Sequence, residues 1–214
     1  SGGSDAFVAK YAGSDGTHRW SRRIGGSASG DQAVGNVVAT DVDGSVFIAG
    51  DFRGMVDFGG GPLTSNSGLG RDDMFVARYS GDGEYLWSRA FGGTGHDVAV
   101  SLAADSRGAV FVTGEFEDVV DFGGGPLVSS GSTDVFVLKL SGDAGGHLWS
   151  IALGGTGDDL GAAAVSTLTG DAIVTGYDGS MFVAGFSGRD GTEVCSYRGA
   201  STGLLGLAVT LDSL

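Results

Sequence analysis

The chain has 214 residues, 41% of them hydrophobic and 18% charged, so it holds enough apolar material for one sizeable folded core. Glycine supplies 43 residues and proline two, which excludes a collagen-like period and points to many tight turns. A net charge of −14 disfavours nucleic acid and anionic membrane surfaces as partners, the lone Cys195 excludes an internal disulfide, and no apolar run is long enough for a membrane span.

The chain opens on Ser1-Gly2-Gly3-Ser4, which is not a signal peptide and reads as the end of a connecting loop. Asp5-Ala6-Phe7-Val8-Ala9-Lys10-Tyr11 predicts a strand, followed by a glycine turn at 13–16, a second strand through Trp20-Ser21, and Gly25-Gly26. Asp31 precedes a small-residue strand through Val37-Val38-Ala39, and a polar turn with Asp41 and Asp43 leads into Val46-Phe47-Ile48-Ala49-Gly50. An excursion over 51–72 carries Val56-Asp57-Phe58-Gly59-Gly60-Gly61-Pro62-Leu63.

The opening motif then returns as Asp73-Met74-Phe75-Val76-Ala77-Arg78-Tyr79, with Gly81-Asp82-Gly83-Glu84, Trp87-Ser88 and Gly92-Gly93 after it. Asp97, Leu102-Ala103-Ala104, Val110-Phe111-Val112-Thr113-Gly114 and a second excursion over 115–133, with Val120 to Leu127, complete that copy. A third begins at Asp134-Val135-Phe136-Val137-Leu138-Lys139-Leu140 and runs through Trp149-Ser150, Gly154-Gly155, Asp159, Ala162 to Val165 and Ala172 to Gly176. The excursion is there replaced by the short turn 177–180. The fourth copy, Ser180 to Phe186, loses the charges, puts Cys195-Ser196 in place of Trp-Ser, and stops after a small-residue run at Leu207-Ala208-Val209.

One unit is therefore four short strands between glycine turns, repeated three and a half times, with approximate units 1–30, 31–95, 96–157, 158–202 and 203–214 in a single domain. Val46 and Ile48 face one way and Phe47 and Ala49 the other, so both faces of the strand are apolar, as a blade between two neighbours requires. The fold class is all-β, a β-propeller of about four blades with a composite or incomplete last blade, or an arc of a larger propeller. The chain opens on two outer strands, 6–24, and ends on an innermost strand, 204–211, which would join them in one composite blade still lacking a strand.

The runs Asp-x-Phe-Val-x-Lys-Tyr, Gly-Asp-Gly-x-x-Leu-Trp-Ser, Phe-Gly-Gly-Thr-Gly-x-Asp and Val-Phe-Val-Thr-Gly, clearest over 73–114, resemble the SBBP-type β-propeller repeat. The resemblance covers nearly the whole chain and degrades after about Gly176. It implies a propeller, a secreted or bacterial cell-surface location, and no catalytic residues to carry over.

Candidate site residues each have a structural reading beside the functional one. Asp41, Asp43, Asp82 and Glu84 are turn acids that suit Ca²⁺ or that bond their own backbone. Asp31, Asp97 and Asp159 precede the innermost strands, and either ring an axial ligand or cap local amides. Phe52, Asp57, Phe58, Phe116, Asp121 and Phe122 mark the excursions as recognition loops. Trp20, Trp87 and Trp149 recur at one position, which favours packing between blades over stacking on sugars, and His18, His96 and His147 lack metal-ligand spacing.

Nucleophile elbow, phosphate loop and zinc-helix motifs are all missing. The leading expectation is a non-enzymatic scaffold without a cofactor, Ca²⁺ aside, that binds a protein partner or another copy or segment completing the propeller. A glycan-binding module, and an enzyme whose site is completed by a missing segment or partner chain, are the alternatives.

Overall fold

A computed structural model describes residues 3–67 and 70–199, and within them every regular element is a strand. β1 (Ala6–Tyr11) and β2 (His18–Ile24) pair as a two-stranded half-blade. The first full blade has the order β3 (Gln32–Thr40), β4 (Val46–Arg53), β7 (Asp73–Tyr79), β8 (Tyr85–Phe91), with β5 (Met55–Asp57) and β6 (Pro62–Thr64) as a side hairpin. The second repeats this with β9 (Asp97–Ala104), β10 (Val110–Phe116), β13 (Asp134–Leu140) and β14 (His147–Leu153), its hairpin being β11 (Val119–Asp121) and β12 (Pro126–Val128). The third, β15 (Leu160–Ser166), β16 (Ala172–Tyr177), β17 (Met181–Phe186) and β18 (Glu193–Gly199), has no hairpin. All pairings between these strands are antiparallel. The strand expected at 204–211, and the composite blade built on it, lie outside the described residues.

Alternation along each strand sends successive side chains to two different neighbours. On β7, Met74 and Val76 pack into a core with Val110, Val112 and Phe136 of the next blade, while Phe75, Ala77 and Tyr79 join Ala6, Val8 and Ile24 of the half-blade before it. The second and third blades meet likewise, through Val135, Val137 and Trp149 against Val174, Phe182 and Phe186. Three cores thus occupy the three seams, and the blades are stacked face to face as a propeller-like arc.

The inner strands touch across the seams. The Asn36 Nδ2 donates to the Ala99 carbonyl at 3.2 Å, and the Ala164 amide donates to Ser101 Oγ at 3.0 Å. Each inner strand also carries a bulge at one place: pairing skips Asn36, Val100 and Ala162. Opposite each bulge stands a glycine, Gly50, Gly114 or Gly176, and a Cβ at Gly114 would lie 1.9 Å from the Val98 carbonyl oxygen. Since the obstacle is backbone, the strand pair has to separate to admit a side chain. Gly114→Ala is therefore expected to lower stability by about 3 kcal/mol, read from the urea unfolding midpoint.

Candidate interaction surfaces

The three seams among the described residues are each held by the same polar latch. The Trp20 indole N–H donates to the Gly81 carbonyl at 3.0 Å, Trp87 to Gly142 at 2.6 Å, and Trp149 to Gly188 at 3.3 Å. Each acceptor lies in the β-turn between the two outer strands of the following blade. Each indole also lies against a second glycine of that turn: a Cβ at Gly83, Gly145 or Gly191 would come within 2.8 Å of the ring.

The cation paired across the strands with each tryptophan reaches the same carbonyl. Lys10 Nζ donates to Gly81 at 3.1 Å and to Gly44 at 2.7 Å, Arg78 to Gly142 at 2.6 Å, and Lys139 to Gly188 at 2.9 Å. Arg78 is neutralised by Asp41 of its own blade at 2.7 Å and Lys139 by Asp105 at 3.1 Å, with all four side chains largely buried. The tryptophans thus hold blades together, and the faces of Trp87 and Trp149 are not free for a sugar.

This arrangement gives one of the four turn acids a structural role. Asp41 is buried, accepts the amides of Asp43 and Ser45, and balances Arg78. Asp43, Asp82 and Glu84 are exposed, and the Glu84 amide bonds Ser80 Oγ within its own turn. Among the described residues no three acidic, histidine or cysteine side chains converge as a cation would need.

Asp31, Asp97 and Asp159 share a position and a first task, which is to accept an amide from the loop entering the inner strand. Asp97 bonds Gly93 at 3.0 Å and Asp159 bonds Gly155 at 2.6 Å, while Asp31 takes Ser27, Ala28 and Met55 together. Their acidities diverge accordingly. The Met55 and Ala28 amides hold Asp31 below the usual carboxylate range. Asp97 has one amide, a second oxygen without a partner and a fully buried side chain, and burial pushes it up to about 7. Burial also raises Asp159.

The excursions fold back as hairpins, and their phenylalanines point inward rather than outward. Phe52, Phe58, Phe116 and Phe122 are all buried, Phe58 against Phe75 at 4.6 Å and Phe122 against Phe136 at 4.7 Å between ring centroids. As a recognition surface the loops therefore offer other groups. Asp57 and Asp121 are exposed but accept two amides each from their glycine turns, Gly59 and Gly61 or Gly123 and Gly125. Met55, Val119 and Val128 supply the exposed apolar surface. The middle glycine of each tip lies over Tyr85 or His147, which half-buries those two residues, whereas His18 is exposed.

No protein-family model matches the chain. It is 25% identical over 202 residues to an uncharacterized WD repeat-containing protein of Acanthamoeba polyphaga mimivirus, a stretch covering 81% of this chain and 14% of that protein. It is 31% identical over 147 residues to the regulatory protein FlaEY of Caulobacter vibrioides, covering 68% of this chain and 15% of that one. The repeat architecture is propeller-like. The chain spans about a seventh of the length of each of these curated relatives. Among the described residues no helix is long and apolar enough to cross a membrane.

Proposed function

We propose that the chain is a non-enzymatic propeller segment of the SBBP repeat type, working outside the cell or at its surface as a scaffold for protein–protein assembly. The observation that carries this reading is the use made of the recurring polar residues. Trp20, Trp87, Trp149, Lys10, Arg78 and Lys139 all bond the neighbouring blade. Asp97, whose carboxyl burial pushes up to about 7, is sealed from solvent, so a substrate has no access to it. What the seams leave unused is surface, including the hairpins with their exposed Met55, Val119 and Val128.

Two measurements test it. Carboxyl-directed cross-linking in the native assembly is expected to link the exposed acids Asp57 and Asp121 to other proteins. A panel of ester, glycoside, phosphate and peptide substrates is expected to show no turnover that Asp97→Asn or Asp159→Asn removes. Turnover abolished by either substitution would overturn the scaffold reading.

A further inference from the structure

The half-blade exposes a face that every other blade covers. Phe7, Ala9 and Tyr11 stand at the positions of Phe75, Ala77 and Tyr79 in the first blade, Phe136, Leu138 and Leu140 in the second, and Phe182, Ala184 and Phe186 in the third. In the three full blades this row packs under the preceding blade, and its aromatic or leucine side chains are at most 2% exposed. In the half-blade Phe7 is 77% and Tyr11 60% exposed. The turn beside the row repeats the pattern: Gly13 corresponds to Gly81, Gly142 and Gly188, the latch acceptors, but a Cβ at Gly13 or Gly16 would meet nothing within 4 Å.

We propose that this face docks a complete blade of the same repeat, carried by a polypeptide outside these 214 residues, which brings a tryptophan and a lysine or arginine onto the Gly13 turn. The occupant's chemistry is read from the three seams already formed, where the same apolar row always accompanies the same two donors.

The chain does not supply that blade itself. Its three tryptophans are each bound at an internal seam, and residues 200–214 contain no tryptophan, lysine or arginine. The third blade, whose outer side is next in line, has lost the whole latch: Gly185 replaces the cation, Cys195 the tryptophan, and Thr167 the neutralising aspartate. A second copy brings the same altered blade, so it is no better an occupant. The site therefore has a direction, accepting a latch on the half-blade and offering none on the third blade.

The proposal rests on the scaffold reading but fails separately from it, because its test reads protection of one face and not turnover. The latch is restored on the third blade with Thr167→Asp, Gly185→Lys and Cys195→Trp, and hydroxyl-radical oxidation of Phe7 and Tyr11 is followed by mass spectrometry. Gly185 and Cys195 are register partners, as Lys139 and Trp149 are, so the donors re-enter in the right pairing. Oxidation of Phe7 and Tyr11 in the restored chain is expected to fall to the level of Phe75 and Tyr79. Sedimentation then tells head-to-tail association from closure within one chain. Cys195→Trp alone serves if the triple variant does not fold. Oxidation unchanged from the unmodified chain would overturn the proposal.

A second measurement uses the otherwise unmodified chain. Phe7→Asp is expected to leave the thermal midpoint within ~2 °C, as a surface change does. Phe75→Asp and Phe136→Asp, at the same position under a blade, are expected to lower it by on the order of 10 °C. An equal loss from Phe7→Asp would show that the chain's own residues cover the face, and the external blade would be ruled out.

Discussion

Trp87→Ala is expected to lower stability by about 4 kcal/mol and to split the unfolding transition in two. The side chain is 4% exposed, meets Phe47 edge-on at 6.0 Å, lies over Gly145, and donates to the Gly142 carbonyl. Truncation leaves a cavity at the middle seam and deprives that carbonyl of one of its two donors, Arg78 being the other. Stability in a stack of repeats is approximately a sum of unit terms and nearest-neighbour seam terms. Weakening the middle seam therefore lets the half-blade and first blade unfold apart from the second and third. Urea melts followed by tryptophan fluorescence check this, since Trp20 and Trp149 report from opposite sides of the altered seam. A single sharp transition, displaced by less than about 1 kcal/mol, would show that the seam is held by its apolar rows alone.

Much of this was legible in the sequence. Four strands per unit, the turns, the half-blade and the third copy's missing excursion all follow from apolar runs of strand length between glycine turns, and the structure has them there. Contacts between distant segments were not legible. Phe58 and Phe122 sit in Gly-Gly-Gly-Pro stretches that read as exposed loops, yet each ring lies on a phenylalanine of its own blade, Phe75 or Phe136. The glycines at 50, 114 and 176 look like ordinary strand ends until the bulge opposite them is known.

The acids show why position alone does not assign a role. Asp31, Asp97 and Asp159 align, but three amides reach Asp31 and one reaches each of the other two, and that number belongs to the loop and not to the motif. The latch did leave a signal. Cation, tryptophan and turn aspartate are present together in the second and third copies and absent together in the fourth, at Gly185, Cys195 and Thr167. Joint loss marks residues that serve one interface, and reading it required only that the copies be compared as sets.

Asp97→Asn is expected to stabilise the protein at neutral pH and to remove a pH dependence that the unmodified chain shows between about pH 4 and 7. Burial raises Asp97 from 3.8 to about 7, and the charged groups that face it, Asp73 and Asp118, are acids that raise it further. Because the folded value lies above the unfolded one, the native state holds this proton more tightly. Below about pH 4 both states are protonated and the group costs nothing. Between about pH 4 and 7 the unfolded chain releases the proton first, so stability falls as pH rises. Above about pH 7 both states are ionised and the loss stays constant, on the order of 4 kcal/mol for a shift of this size. The substituted amide keeps an oxygen for the Gly93 N–H while removing the buried charge.

Asp31 works in the opposite sense. Its amides lower it, so its contribution is present above the unfolded value and is lost as pH falls through the folded one. The two acids therefore act in different windows, and the difference between Asp97→Asn and the unmodified chain isolates the first. Urea midpoints for both proteins at half-unit steps from about pH 4 to 8 make the comparison. The curves are expected to meet near pH 4 and to separate steadily up to about pH 7. Parallel curves would mean that Asp97 gives up its proton alike in the folded and the unfolded chain, and that its burial does not set the pH dependence.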